Sequence, residues 1–81
     1  MWKENNNALV REYSFADFNQ ALKFVNKVGE LAERHNHHPD IELGWGRVKI
    51  KLTSHSEGKI TIKDRQLAQA IDTLIASEQT S

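Results

Sequence analysis

Apolar and polar positions alternate over residues 9–15, where Leu9, Tyr13 and Phe15 share one parity and Arg11 interrupts it. A period of two predicts a strand. The preceding Asn5-Asn6-Asn7 run tolerates left-handed backbone and predicts a turn, so that residues 1–4 supply a short partner strand in an N-terminal hairpin. The period then changes. Phe18, Ala21, Leu22, Val25, Val28, Gly29 and Ala32 recur at steps of three and four, the spacing of one helix stripe. Ser14 and Asp17 are spaced as a capping pair that starts this helix at about Phe15. Its end is expected near Arg34, ahead of His35-Asn36-His37-His38-Pro39, because proline drives its predecessor into extended backbone. Glycine in a helix interior costs roughly 1 kcal/mol against alanine, so Gly29 predicts a tight crossing by a neighbouring element.

Alternation returns at Ile41, Leu43 and Trp45, and Gly46 permits a reversal into a strand over residues 47–53. There Val48, Ile50 and Leu52 point one way while Arg47, Lys49, Lys51 and Thr53 point the other, and His55 joins the polar parity if the strand persists. Residues 54–58 read as a loop. Thr61 and Asp64 repeat the capping spacing before a second helix whose stripe is Leu67, Ala68, Ile71, Leu74 and Ile75. The expected fold class is α+β: an antiparallel four-stranded sheet with two helices packed on one face, in the order strand-strand-helix-strand-strand-helix. One domain is expected over residues 1–76, followed by a polar tail at 77–81 that frays.

The 81 residues allow one core and not two. Eleven basic and eleven acidic side chains cancel to a net charge of +0, which argues against nucleic acid or an anionic membrane as partner. The chain has no cysteine, which excludes disulfides, thiolate metal sites and thiol nucleophiles. No uninterrupted apolar run exceeds three residues, so neither a signal peptide nor a membrane span is expected, and the location expected is the cytoplasm. With 38% hydrophobic residues the core is thin, which favours pairing of subunits.

Candidate chemistry is therefore oxygen and imidazole chemistry. Three of the four histidines, His35, His37 and His38, fall within four positions after the first helix. Imidazole exchanges protons near neutral pH, and neighbouring imidazoles allow acid and base roles together. Solvated loop histidines are the plain alternative. Glu33, His35, His37 and His38 offer nitrogen and oxygen ligands for a divalent ion, but adjacent residues on extended chain point to opposite sides, which disfavours His37 and His38 in one coordination sphere. Asp40 and Glu42 read as a solvated strand face. Ser54-His55 lacks the glycine elbow of a hydrolase nucleophile. Lys49, Lys51, Lys59 and Lys63 read as a solvated sheet face rather than a phosphate site.

The stretch Glu33-Arg34-His35-Asn36-His37-His38-Pro39-Asp40, with His55 seventeen positions after His38 and Asp64 nine after that, resembles pterin-4a-carbinolamine dehydratase. Trp2, Tyr13-Ser14-Phe15, Asp17-Phe18, Ala21, Phe24, Val28 and Ala32-Glu33 extend the resemblance over nearly the whole chain. Members of that family usually carry a further N-terminal helical segment ahead of the tryptophan. The resemblance implies dehydration of 4a-hydroxytetrahydropterin to quinonoid dihydropterin, in tetrahydrobiopterin recycling after an aromatic amino-acid hydroxylase, with no cofactor and no metal. It implies His37, His38 and His55 as catalytic residues, with His38 the principal proton-transfer group, His55 opposite it, and His37 positioning substrate. Glu33, Asn36, Pro39, Ser54 and Asp64 are the implied substrate-binding residues, Glu33 orienting His37 from one helical turn away and Asp64 serving equally well as a helix cap alone. The implied partners are a small pterin and further copies of the chain, as homodimer or homotetramer. The alternative function is a protein-binding module, since the same family includes members that dimerise a transcription factor.

Overall fold

A computed structural model describes the backbone of residues 1–80 and the side chains of residues 1–77. Six elements follow in order: β1 (Lys3–Asn5), β2 (Ala8–Ser14), α1 (Phe18–His35), β3 (Asp40–Leu43), β4 (Arg47–Leu52) and α2 (Ile62–Thr80). The strands form one antiparallel sheet in the order β1-β2-β4-β3. This is the expected α+β fold. Of the tail expected at 77–81, the side chains of 78–80 and all of Ser81 lie outside the described residues. Among the described residues no helix is long and apolar enough to cross a membrane.

The asparagine run turns as its side chains allow, with Asn6 and Asn7 at φ of 50° and 63°. Val48, Ile50 and Leu52 are wholly buried, and Leu9 and Tyr13 stand opposite Leu52 and Val48 in the β2–β4 register. Arg11, the apparent interruption, faces Ile50 on this same covered side. Its guanidinium is satisfied there: Nη1 donates to Asp72 Oδ1 of α2 at 2.7 Å, and the group lies 4.6 Å from the Tyr13 ring centroid. Trp2 Nε1 donates to the same Asp72 oxygen at 2.9 Å, so one carboxylate ties β2 and the residue just ahead of β1 to α2.

Helix α1 departs from expectation at its start and in its face. Asp17 itself is the cap, its carboxylate accepting the Gln20 N–H at 2.8 Å, while Ser14 remains the last residue of β2. The buried face is Ala21, Phe24, Val28 and Ala32, whereas Phe18 and Leu22 stay 45% and 38% exposed. The helix carries two apolar rows, and the sheet covers one. Phe24 decides which, because its ring packs 4.8 Å from Tyr13 and 5.1 Å from Phe15 between centroids. Gly29 lies off the packed row, and a Cβ there would meet nothing within 4 Å, so no tight crossing exists at that position.

The close approach occurs at Gly46 instead. A Cβ there would stand 2.8 Å from the Phe15 carbonyl oxygen, and the Phe15 N–H donates to the Gly46 carbonyl at 2.8 Å. Trp45, expected to continue the alternation, sits in the turn beyond β3 and is 70% exposed.

Candidate active site

Helix α1 ends in a motif that aims the next residue. Asn36 adopts the left-handed region (φ 50°, ψ 42°), its N–H donates to the Glu33 carbonyl, and the His37 N–H donates to the Ala32 carbonyl at 3.1 Å. This double closure fixes the His37 backbone against the last helical turn. Pro39 then holds His38 out of helical conformation, and β3 begins at Asp40.

The His37 side chain is only 13% exposed, and its Nε2 lies 2.5 Å from Asp64 Oδ1. Asp64 is fully buried in the first turn of α2. Its other oxygen, Oδ2, accepts the Thr61 N–H at 2.9 Å and the Ser54 hydroxyl at 2.9 Å. Burial alone pushes this carboxyl upward, but hydrogen bonds from His37, the Thr61 backbone and Ser54 outweigh it and hold the carboxyl below the ordinary range. The group is thus an anion, which can only accept, so His37 carries its proton on Nε2 and leaves Nδ1 for other partners.

Glu33 does not orient His37. Its carboxylate is bonded to His38 Nε2, and both side chains are largely exposed. The left-handed turn at Asn36 sends His37 inward to Asp64 and leaves His38 within reach of α1. His55 follows a strand that stops at Leu52, so it stands in a turn rather than on the sheet, and its Nε2 lies 3.7 Å from Asp40 Oδ2.

These histidines share a groove of about 280 Å³, lined by Asn36, His37 and His38 from the α1–β3 connection and by residues 53–57 and Lys63 from the β4–α2 side. Of the residues the sequence nominates, Asn36, His37, His38, Ser54 and His55 line it, while Glu33, Pro39 and Asp64 do not. Glu33 and Asp64 reach it through His38 and His37. Lys59 lies in the β4–α2 connection and Lys63 on α2, so neither is on the expected sheet face; Glu57 and Lys63 carry no site signal in the sequence, and Thr61 carries one only as the cap before Asp64. A larger hollow of about 630 Å³ beside Arg11, Tyr13, Phe15 and Phe24 contains no imidazole. Among the described residues no three His, Cys, Asp or Glu side chains converge as a metal site requires.

Comparison with known proteins identifies the family. A relative in Koribacter versatilis, named a candidate pterin-4-alpha-carbinolamine dehydratase, is 48% identical over 83% of this chain and 71% of its own. One in Chloroflexus aggregans with the same name is 49% identical over 89% of this chain and 77% of its own. The crystal structure of a transcriptional coactivator/pterin dehydratase from Brucella melitensis superposes with a TM-score of 0.84 at 30% identity, covering 89% of this chain and 79% of that one. A pterin dehydratase-like protein identified as a RuBisCO assembly factor in the alpha-carboxysome shares the fold, with a TM-score of 0.73 at 23% identity over 91% of this chain and 86% of its own. The family described as Pterin 4 alpha carbinolamine dehydratase matches residues 1–74, the span that holds the sheet, the groove and the buried Asp64 behind it, and this chain belongs to that family.

Proposed function

We propose that this chain dehydrates a 4a-hydroxytetrahydropterin to the quinonoid dihydropterin and water. The observation that carries the reading is the convergence of His37, His38 and His55 on one groove, with His37 held from behind by a buried carboxylate. Elimination needs one acid and one base. A proton delivered to the 4a-hydroxyl lets the C4a–O bond break and water depart, while the N5 proton is taken up and its electron pair forms the C4a–N5 double bond, so protons balance over the cycle. His38, backed by Glu33, carries the main proton transfer, with His55 on the opposite side. His37, its Nε2 committed to Asp64, offers Nδ1 to hold the substrate and polarise the leaving hydroxyl. In this role the protein works in the cytoplasm, recycling the pterin product of an aromatic amino-acid hydroxylase, as a homo-oligomer without cofactor. Stopped-flow measurement of freshly generated 4a-hydroxytetrahydropterin tests it: the purified protein accelerates dehydration well above the spontaneous rate, and no acceleration defeats the reading.

A second reading, a protein-binding module, draws on the exposed row of Phe18 and Leu22 along α1. It predicts that substitutions on this row abolish partner binding and that His38→Ala does not, with no dehydration by the purified chain.

A further inference from the structure

Ser54 is a buried polar residue in the groove lining, and Thr61, just ahead of α2, is a half-buried one. Ser54 is 4% exposed and lies between two turns, its N–H donating to the Lys59 carbonyl and its own carbonyl accepting the Glu57 and Gly58 N–H groups. Its backbone is therefore held on both sides. That hydroxyl donates to Asp64 Oδ2 at 2.9 Å and lies 2.6 Å from Thr61 Oγ1. Because the Ser54 proton is spent on Asp64, the Thr61 hydroxyl has Ser54 Oγ as its near acceptor and Asp64 Oδ2, at 3.5 Å, as its far one, giving the chain Thr61 to Ser54 to Asp64. At a helix start of this kind the threonine hydroxyl ordinarily turns to a backbone N–H of the first turn. Here it is diverted sideways, while the reciprocal half of the cap, Thr61 N–H to Asp64 Oδ2, is kept at 2.9 Å.

We propose that Ser54 and Thr61 are positioning residues that act on the groove through Asp64: their paired hydroxyls anchor Oδ2 so that Oδ1 stays aimed at His37. The inference rests on the dehydratase reading for its meaning and on the hydrogen-bond geometry for its content. The two oxygens of one carboxylate divide the labour, Oδ2 serving the start of α2 and Oδ1 serving the histidine. Each donor on Oδ2 also stabilises the anion, so its loss weakens both the aim and the charge that faces His37. Of the titratable groups about this point, His37 touches Asp64 directly; His38, His55, Glu57 and Lys63 line the groove with it.

The test reads Asp64 first, by carbon-13 NMR titration of its carboxyl in the substrate-free protein, which is independent of any activity. In Ser54→Ala the carboxyl titration moves upward by roughly one unit, in Ser54→Ala/Thr61→Val it moves further, and Ser54→Thr returns it toward wild type. In the dehydration assay the acid limb of the rate profile moves in the same direction, with KM changed less than kcat. If Ser54→Ala loses amide dispersion, Thr61→Val carries the same test, since it removes a hydroxyl and keeps the N–H. An unmoved Asp64 titration in folded Ser54→Ala and in folded Thr61→Val overturns the proposal, as does a shift that Ser54→Thr fails to restore. Absence of dehydration by the wild type, with the NMR shifts present, removes the dehydratase reading and leaves the hydroxyl anchor standing.

Discussion

Nε2 of His37 lies 2.5 Å from Oδ1 of Asp64, a residue 27 positions further along the chain that exposes nothing to solvent. The contact joins the end of α1 to the start of α2 and places a fixed negative charge behind a groove whose other wall carries His55. A histidine so held has one nitrogen left for chemistry, which is the condition for a single defined role.

Acid should undo this arrangement in a definite window. The Asp64 carboxyl is held below its unfolded value, near 3.9, so the stability it contributes is fully present above that value and is lost as pH falls through its lower folded value. Thermal melts followed by circular dichroism between roughly pH 6 and pH 2 should show wild type well above Asp64→Asn at the upper end and the two converging at the lower. Parallel curves across the range would mean that Asp64 does not titrate with unfolding.

Replacing His38 by Ala should lower the dehydration rate about a hundredfold or more, since positioned proton transfer contributes in that range. His35→Ala should leave the rate nearly unchanged, because His35 is exposed and outside the groove lining. Equal losses at the two positions would point to a folding effect and away from proton transfer.

Two glycines should respond in opposite directions. Gly46→Ala drives a Cβ to 2.8 Å from the Phe15 carbonyl oxygen, a backbone atom that cannot move aside alone, and should cost about 1–3 kcal/mol in chemical denaturation. Gly29→Ala adds a methyl in open space inside a helix and should stabilise by about 0.5–1 kcal/mol. Destabilisation at Gly29 would show that its face of α1 is covered by another subunit.

Self-association is expected from two unpaired edges, β1 and β3, and from the exposed Phe18 and Leu22 row. Light scattering at micromolar concentration should give at least twice the 9.3 kDa chain mass. Leu22→Glu should break any assembly made through α1 and spare one made through strand edges. A fully active 9.3 kDa monomer would show that neither surface is used.

Much of this was open to reading along the chain, and the failures have physical causes. The alternation of Val48, Ile50 and Leu52 announces a one-sided strand because a pleat has no other way to bury every second residue. The Thr61–Asp64 spacing announces a helix start for an equally local reason. The face of α1 was not legible, because Phe18, Leu22 and Gly29 lie on a second apolar row and only the aromatic contacts of Phe24 choose between the two. Glu33 was paired with the wrong histidine for the same kind of reason: spacing on a helix cannot anticipate the turn at Asn36 that sends His37 to Asp64. The capping spacing marks Thr61 and the family resemblance marks Ser54, but the Asp64 oxygen they share exists only after the chain has folded.

The β3–β4 hairpin works as a ruler for the groove. Asp40 pairs with Lys51 at the open end of the ladder, so His38 stands two residues before that rung on one strand and Thr53 two residues beyond it on the other. The reversal at Gly46 lies at the far end of the hairpin from these histidines. Insertions that lengthen that reversal while keeping Asp40 opposite Lys51 therefore leave the histidines in place. A single residue gained or lost between His38 and Asp40, or between Lys51 and His55, shifts a histidine relative to the rung that positions it. The histidine end of the hairpin is thus bound to fixed spacing, while at the other end the contact of Gly46 with Phe15, and not the site, limits what the reversal can accept.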